Sequence, residues 1–77
     1  MKTNQELKRI PITRNRQLKQ LENNEVVLGY MDGRNNDPKP NDNRTYSYWH
    51  GWRNGMVDGG HTEKDTSQIL LAKDYLQ

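Results

Sequence analysis

The 77-residue chain contains no cysteine and only two histidines. Without cysteine there is no disulfide framework, and two histidines do not supply the ligand set of a structural zinc site. No apolar run approaches the ~18 residues of a membrane span, and the first five residues are too polar for a signal peptide. We therefore expect a soluble cytoplasmic protein with no membrane partner.

Apolar side chains are scarce as well. They make up 30% of the chain, and phenylalanine is absent. A domain of this size buries only about 60% of the surface that its unfolded chain exposes, so we expect a thin core. Valine and isoleucine, which favour strands, occur three times each, and no segment alternates apolar and polar residues. The sequence predicts one small all-α domain over residues 1–77.

The first half of the chain predicts a basic arm followed by a long helix. Residues 1–12 form the arm, which we expect to be mobile or loosely docked because Pro11 disfavours a continuing helix. Thr13 then caps a first main helix from about Arg14 to Arg34, whose apolar residues recur at helical spacing. The Asn23-Asn24 pair is a weak point midway.

The second half predicts two more helices. Residues 35–44 hold two prolines and almost no apolar side chain, which is typical of a linker. Thr45 is placed to cap a second main helix that ends at about Asp58. An Asp65-x-x-Gln68 capping box precedes a third, C-terminal helix over about 66–76.

Glycines recur at a spacing of four residues in both main helices. Glycine inside a helix costs roughly 1 kcal/mol relative to alanine, so the repeat needs a compensating reason. Close approach of two backbones is such a reason, and it predicts a helical hairpin over residues 13–58. We expect Gly29 and Gly51 to lie within the helices, and Gly33 and Gly59 to be C-caps.

Aromatic residues cluster early in the second main helix. A chain with so few apolar side chains cannot leave both tryptophans outside its core. We predict that Trp52 is buried against Tyr30 and the glycines, whereas Trp49 or Tyr48 is partly exposed.

The order of these residues resembles the family of ribosome modulation factor and its small bacterial and phage relatives. The match covers about residues 27–58: Gly29-Tyr30-x-x-Gly33, a proline-containing linker, and Tyr48 and Trp49 ahead of Gly51-Trp52-Arg53. The resemblance implies two helices joined by a linker that bind the small ribosomal subunit. In the archetype this binding blocks messenger binding and promotes inactive ribosome dimers, so the resemblance implies a regulator of translation.

Basic charge is concentrated at the N-terminus, where residues 1–20 hold six lysines and arginines against one glutamate. Such a segment favours phosphate binding, because each cation on a nucleic-acid backbone releases condensed counterions. A solvated helix face is the alternative interpretation of the same charges. The predicted nucleic-acid-binding residues, which include three arginines near the aromatic cluster, are Lys8, Arg9, Arg14, Arg16, Lys19, Arg34, Arg44 and Arg53.

The sequence offers no candidate catalytic residues. It has no nucleophile motif or phosphate loop, and His50 and His61 stand on separate segments without other metal ligands nearby. We therefore predict a non-enzymatic protein with no cofactor and no metal.

Two kinds of partner remain open. The first is the small ribosomal subunit or another structured RNA. The second is a host protein that a phage or mobile-element protein would inhibit with the same scaffold, which suits the acidic stretch over residues 22–42. The third helix either completes the core or pairs with a second copy in a homodimer.

Overall fold

The computed structural model describes residues 9–76, and this part of the chain is helical without any strand. A short 3₁₀ helix, Asn15–Gln20, precedes three α-helices: α1 (Asn23–Arg34), α2 (Tyr46–Asp58) and α3 (Thr66–Tyr75). The predicted all-α class is therefore confirmed. None of the helices in the described range is long and apolar enough to cross a membrane.

Helices α1 and α2 pack against each other through glycines. A Cβ atom built on Gly29 would lie within 3.0 Å of the Tyr48 carbonyl group, and one built on Gly51 would meet the Val26 carbonyl group equally closely. Gly33 and Gly55 stand in the same relation to the carbonyl groups of Trp52 and Tyr30. Only glycine leaves room for this approach, so the predicted close packing of the two main helices is confirmed.

The contacts between α1 and α2 show that the two helices run in the same direction. At one end, the backbone N–H of Glu22 donates to the Ser47 hydroxyl oxygen at 2.9 Å. At the other end, the Tyr30 hydroxyl donates to the Asp58 carboxylate at 2.5 Å. The connection over residues 35–45 therefore travels back along the helix pair before α2 begins.

This connection has no helix, as predicted for a linker, and it is fixed by two side chains. The Trp52 indole N–H donates to the Asp37 carbonyl oxygen at 2.9 Å. The Arg9 guanidinium donates, at 2.8 to 3.2 Å, to the carbonyl oxygens of Pro40, Asn41 and Arg44. A positive charge shared among three carbonyl oxygens satisfies backbone groups that have no helical partner.

The predicted helix from Arg14 to Arg34 is wrong in its first half. Leu21 is extended, with ψ at 152°, and separates the 3₁₀ helix from α1. The N–H of Glu22 bonds to Ser47 instead of to an earlier turn of its own helix. The helix therefore restarts at Asn23, within the Asn23-Asn24 pair predicted to be weak.

The predicted helix ends are mostly confirmed. Thr45 accepts the N–H of Tyr48 at 3.1 Å, and Gly59 is the C-cap of α2. The capping box of α3 forms as predicted between Asp65 and Gln68. Gly33 as a C-cap is wrong, because α1 continues to Arg34 and Gly33 packs on α2.

The start of the 3₁₀ helix also differs from the prediction. Thr13 does not cap it; instead the Gln17 side chain accepts the backbone N–H groups of Thr13 and Arg14, at 3.2 and 3.0 Å. A glutamine that reaches back to the preceding backbone satisfies the same orphan donors that a capping hydroxyl would.

The burial of the aromatic residues is the reverse of the prediction. Tyr48 and Trp49 are 5% and 8% exposed, whereas Trp52 is only half-buried. Trp49 precedes Gly51 by two residues, which places it about 200° away from the glycine face of α2. Its ring is therefore covered by something other than α1.

The arm provides that cover. The Tyr46 hydroxyl donates to the Ile10 carbonyl oxygen, and the Arg9 guanidinium lies 5.9 Å from the centre of the Trp49 ring. Ile12 is 5% exposed. Residues 9–12 are thus packed on the helix pair rather than mobile, while the rest of the predicted arm lies outside the described residues.

Candidate nucleic-acid interface

The structure divides the predicted phosphate-binding residues into two groups, with Lys8 lying outside the described residues. Arg9, Arg44 and Arg53 contact carbonyl groups, carboxylates and aromatic rings within the protein. Arg44 nevertheless keeps 42% of its side chain exposed. The other four side chains are exposed, and they are Arg14, Arg16, Lys19 and Arg34. Of these, Arg34 lies 6.0 Å from the Tyr30 ring centre at the end of α1, away from the 3₁₀ segment.

Trp49 is the centre of a cluster of cations and rings. Tyr46 stacks on it with 5.4 Å between ring centres, and the guanidinium groups of Arg53 and Arg9 lie 5.0 and 5.9 Å from its centre. Cation–π contacts of this kind stabilise a tryptophan that is shielded from water. Because these neighbours cover the ring, Trp49 offers no free face on which a nucleic-acid base would stack.

Arg53 is held by the segment that begins α3. Its side chain is 13% exposed, and its guanidinium donates to the Asp65 carboxylate and, at 3.2 Å, to the Ser67 hydroxyl. Burial alone would raise the pKa of Asp65, but hydrogen bonds from Ser67, the Gln68 backbone N–H and Arg53 lower it below its usual value. Asp65 is therefore an anion that neutralises Arg53.

Arg44 belongs to a second internal cluster. Its guanidinium lies 4.0 Å from the centre of the Tyr48 ring and 4.0 Å from the Asp32 carboxylate. The Tyr48 hydroxyl donates to the same carboxylate. Burial and the hydrogen bond to Asp32 raise the pKa of Tyr48, so the phenol stays protonated as a donor. This cluster ties the end of the linker to both helices.

The cations left accessible near the arm lie on the 3₁₀ segment. We name this surface, formed by Arg14, Arg16 and Lys19, the basic edge; all three side chains are exposed. Arg14 is 65% exposed although its guanidinium lies 3.9 Å from the Asp74 carboxylate. Guanidinium and ammonium groups on a fixed backbone segment are suited to binding phosphate oxygens.

Sequence reasoning missed an exposed apolar surface on α1. Val27, Leu28 and Met31, which are among the apolar residues that recur at helical spacing, are exposed. We name them the outer face of α1. Gly29 and Gly33 turn the opposite side of the helix toward α2, so the glycine positions contained the signal that these three residues face outward.

The two histidines have separate structural roles. His50 is buried, and its ring lies 3.3 Å from the Asn54 amide nitrogen; burial, followed by the charge of Arg53, lowers its pKa. The ring of His61 lies 2.9 Å from the Arg34 carbonyl oxygen. Within residues 9–76 no group of three potential metal ligands comes together.

The two candidate surfaces are thus a basic edge on the 3₁₀ segment and an apolar outer face on α1. Each is defined by the exposure of its side chains and by the packing that turns it outward. No known protein family, curated protein or solved structure matches the chain.

Proposed function

We propose that the protein is a non-catalytic regulator that binds structured RNA and lowers translation. Its resemblance to the ribosome modulation factor family makes the small ribosomal subunit the proposed target. The observation that carries the proposal is the basic edge, in which Arg14, Arg16 and Lys19 are exposed on a docked segment. Cations held in this way bind the backbone phosphates without reading the base sequence.

The internal arginines support the proposal indirectly. Arg9 and Arg44 fix the linker through carbonyl, carboxylate and ring contacts, so their charge is already engaged. Phosphate binding then depends on the basic edge, with Arg34 as a separate exposed cation. Neutralising the edge therefore removes RNA binding while the helix pair keeps its contacts.

The test is a titration of a fluorescently labelled small-subunit rRNA hairpin, and of purified small subunits, with the full chain. Three phosphate contacts give a log–log salt slope of about −2.1 to −2.7, which weakens binding roughly 20- to 40-fold between 50 and 200 mM salt. The R16Q/K19Q variant loses most of the affinity and most of the salt dependence.

The matched control is K39Q/K64Q, which removes two exposed positive charges away from the basic edge. We expect this variant to bind RNA nearly as well as the wild type. If the two double variants lost the same RNA affinity, the loss would follow from net charge alone. That result would contradict a phosphate-binding site at the basic edge. Binding that does not respond to salt would contradict the phosphate mechanism itself.

A second candidate function is inhibition of a host protein, and the outer face of α1 favours it. Val27 and Met31 are exposed apolar side chains on a helix whose other side is fully occupied by α2. In pull-downs from bacterial lysate, ribosomal subunits that disappear on nuclease treatment support the RNA proposal. A single host protein that survives nuclease but is lost with V27Q/M31Q supports this second candidate instead.

A further inference from the structure

Helix α3 reaches two of the predicted phosphate-binding arginines, one from each of its ends. At its start, the carboxylate of Asp65 bonds to the guanidinium of Arg53. At its end, the carboxylate of Asp74 lies 3.9 Å from the guanidinium of Arg14. The ten-residue helix α3 and its N-cap Asp65 therefore hold two carboxylates at fixed positions opposite two cations.

We propose that residues 65–75 form an acidic lid whose carboxylates occupy sites that RNA phosphates would take, so that RNA competes with α3 for Arg53 and Arg14. The proposal rests on the RNA-binding function above and deepens it, because it assigns a regulatory element to the same surface.

The contacts of Asp65 are those that a phosphate group would make. A carboxylate and a phosphate both present oxygen acceptors to the guanidinium N–H groups of Arg53. Ser67 adds a hydroxyl oxygen that accepts from the same guanidinium at 3.2 Å. With the Trp49 ring centre 5.0 Å from the guanidinium as well, only 13% of the Arg53 side chain is exposed, so this cation is closed to RNA while the lid is in place.

Asp74 lies at the start of the basic edge, beside Arg14. One of its carboxylate oxygens accepts the backbone N–H of Asn15 at 2.5 Å, and the other faces Arg14. Release of Asp74 therefore removes a competing carboxylate from beside Arg14, whose side chain is 65% exposed while the lid is in place.

The lid is attached mainly by polar groups. Gln68 donates to the Asn54 side-chain oxygen at 3.1 Å, while Ile69 and Leu76 point outward and are exposed. A groove of about 320 Å³ lies between α3 and the helix pair, lined in part by Leu71 and Tyr75. Since α3 buries little apolar surface against the helix pair, it is easier to displace than α1 or α2.

The test compares RNA binding by the full chain and by D65N/D74N. Asparagine is as good an N-cap as aspartate, so the D65N change removes charge without removing the cap of α3. We expect the affinity for the labelled rRNA hairpin to rise at least about fivefold, the low end of a typical coupling between two sites. The control D42N/E22Q removes two exposed carboxylates elsewhere and measures the effect of net charge alone.

A second measurement needs no variant. In the wild-type protein, the hydrogen-exchange rates of the α3 backbone amides are measured with and without the rRNA hairpin. The lid predicts that these amides exchange faster in the complex, while those of α1 and α2 do not. Unchanged or slower exchange in α3 would overturn it.

The two proposals fail in different ways. If R16Q/K19Q weakens RNA binding but D65N/D74N behaves as D42N/E22Q does, the lid is wrong and the RNA proposal stands. If no variant binds RNA in a salt-dependent way, both are wrong.

Discussion

The carbonyl oxygen of Tyr48 lies where a Cβ atom on Gly29 would stand. The obstacle is backbone, so no change of side-chain rotamer relieves it. The carbonyl of Val26 stands in the same relation to Gly51. Contact between helices at this distance places Cα–H groups against carbonyl oxygens, a weak but repeated attraction.

We expect G29A to destabilise the protein although alanine favours helix. The gain in helix propensity is roughly 1 kcal/mol, and forcing the two backbones apart costs about 1–3 kcal/mol or more per overpacked site. Urea unfolding followed by tryptophan fluorescence measures the net loss. N24A, at an exposed position of the same helix, leaves the urea midpoint unchanged or slightly raised. A G29A midpoint equal to the wild type would contradict the close contact.

The docking of the arm is tested by two isoleucines that stand two residues apart. The Ile12 side chain is 5% exposed and that of Ile10 is 69% exposed. We expect I12A to lower the free energy of unfolding by about 2–5 kcal/mol, and I10A to change it by less than about 0.5 kcal/mol. Thermal unfolding by circular dichroism compares the two. Equal effects would mean that the arm does not pack in solution.

The buried His50 makes stability depend on pH. Burial, then the charge of Arg53, lowers its pKa in the folded state, so the unfolded state binds the proton more tightly. Stability is therefore retained above a histidine's ordinary pKa of about 6.5 and falls below it, by up to about 1.4 kcal/mol per pH unit. Urea midpoints at pH 7.5, 6.5 and 5.5 measure this fall. We expect the urea midpoint of H50Q to change less with pH than that of the wild type. If the two midpoints changed in parallel, titratable groups other than His50 would cause the pH dependence.

Gly60 is constrained by its backbone alone. Its φ is +81°, and a Cβ atom there would meet nothing within 4 Å. G60A is therefore expected to cost about 1–2 kcal/mol through strain. G60N costs less, because asparagine tolerates the left-handed region, as Asn36 does at φ +63°. The urea midpoints of G60A and G60N are compared with that of the wild type. An unchanged midpoint for G60A would show that the backbone at residue 60 adjusts without strain.

The parts of the fold that could be predicted depend on local patterns. The caps at Thr45 and Asp65 use partners three residues away, and the glycine spacing identifies the packed face of each helix. The sequence indicated a weak point at Asn23-Asn24 but not a complete break before α1, because the break depends on Ser47, 25 residues from Glu22. Hydrogen bonds over such separations leave no periodic signal in the sequence.

The candidate site was less predictable than the fold for the same reason. The charge count identified Arg14, Arg16 and Lys19 correctly as basic residues of one segment, but their exposure follows from how that segment docks. Arg53 could not be separated from them, because its partner Asp65 lies on another helix. The positions of the basic residues can be read from the sequence. Which of these cations are already neutralised within the protein depends on tertiary contacts.

The glycine contacts of α1 and α2 are related by a pseudo-two-fold rotation. Gly29 faces the carbonyl of the residue three before Gly51, and Gly51 faces the carbonyl of the residue three before Gly29. Gly33 and Gly55 repeat this reciprocity. The pair is thus an isologous interface closed within one chain. Two molecules that exchanged these helices through an opened linker would rebuild every glycine contact.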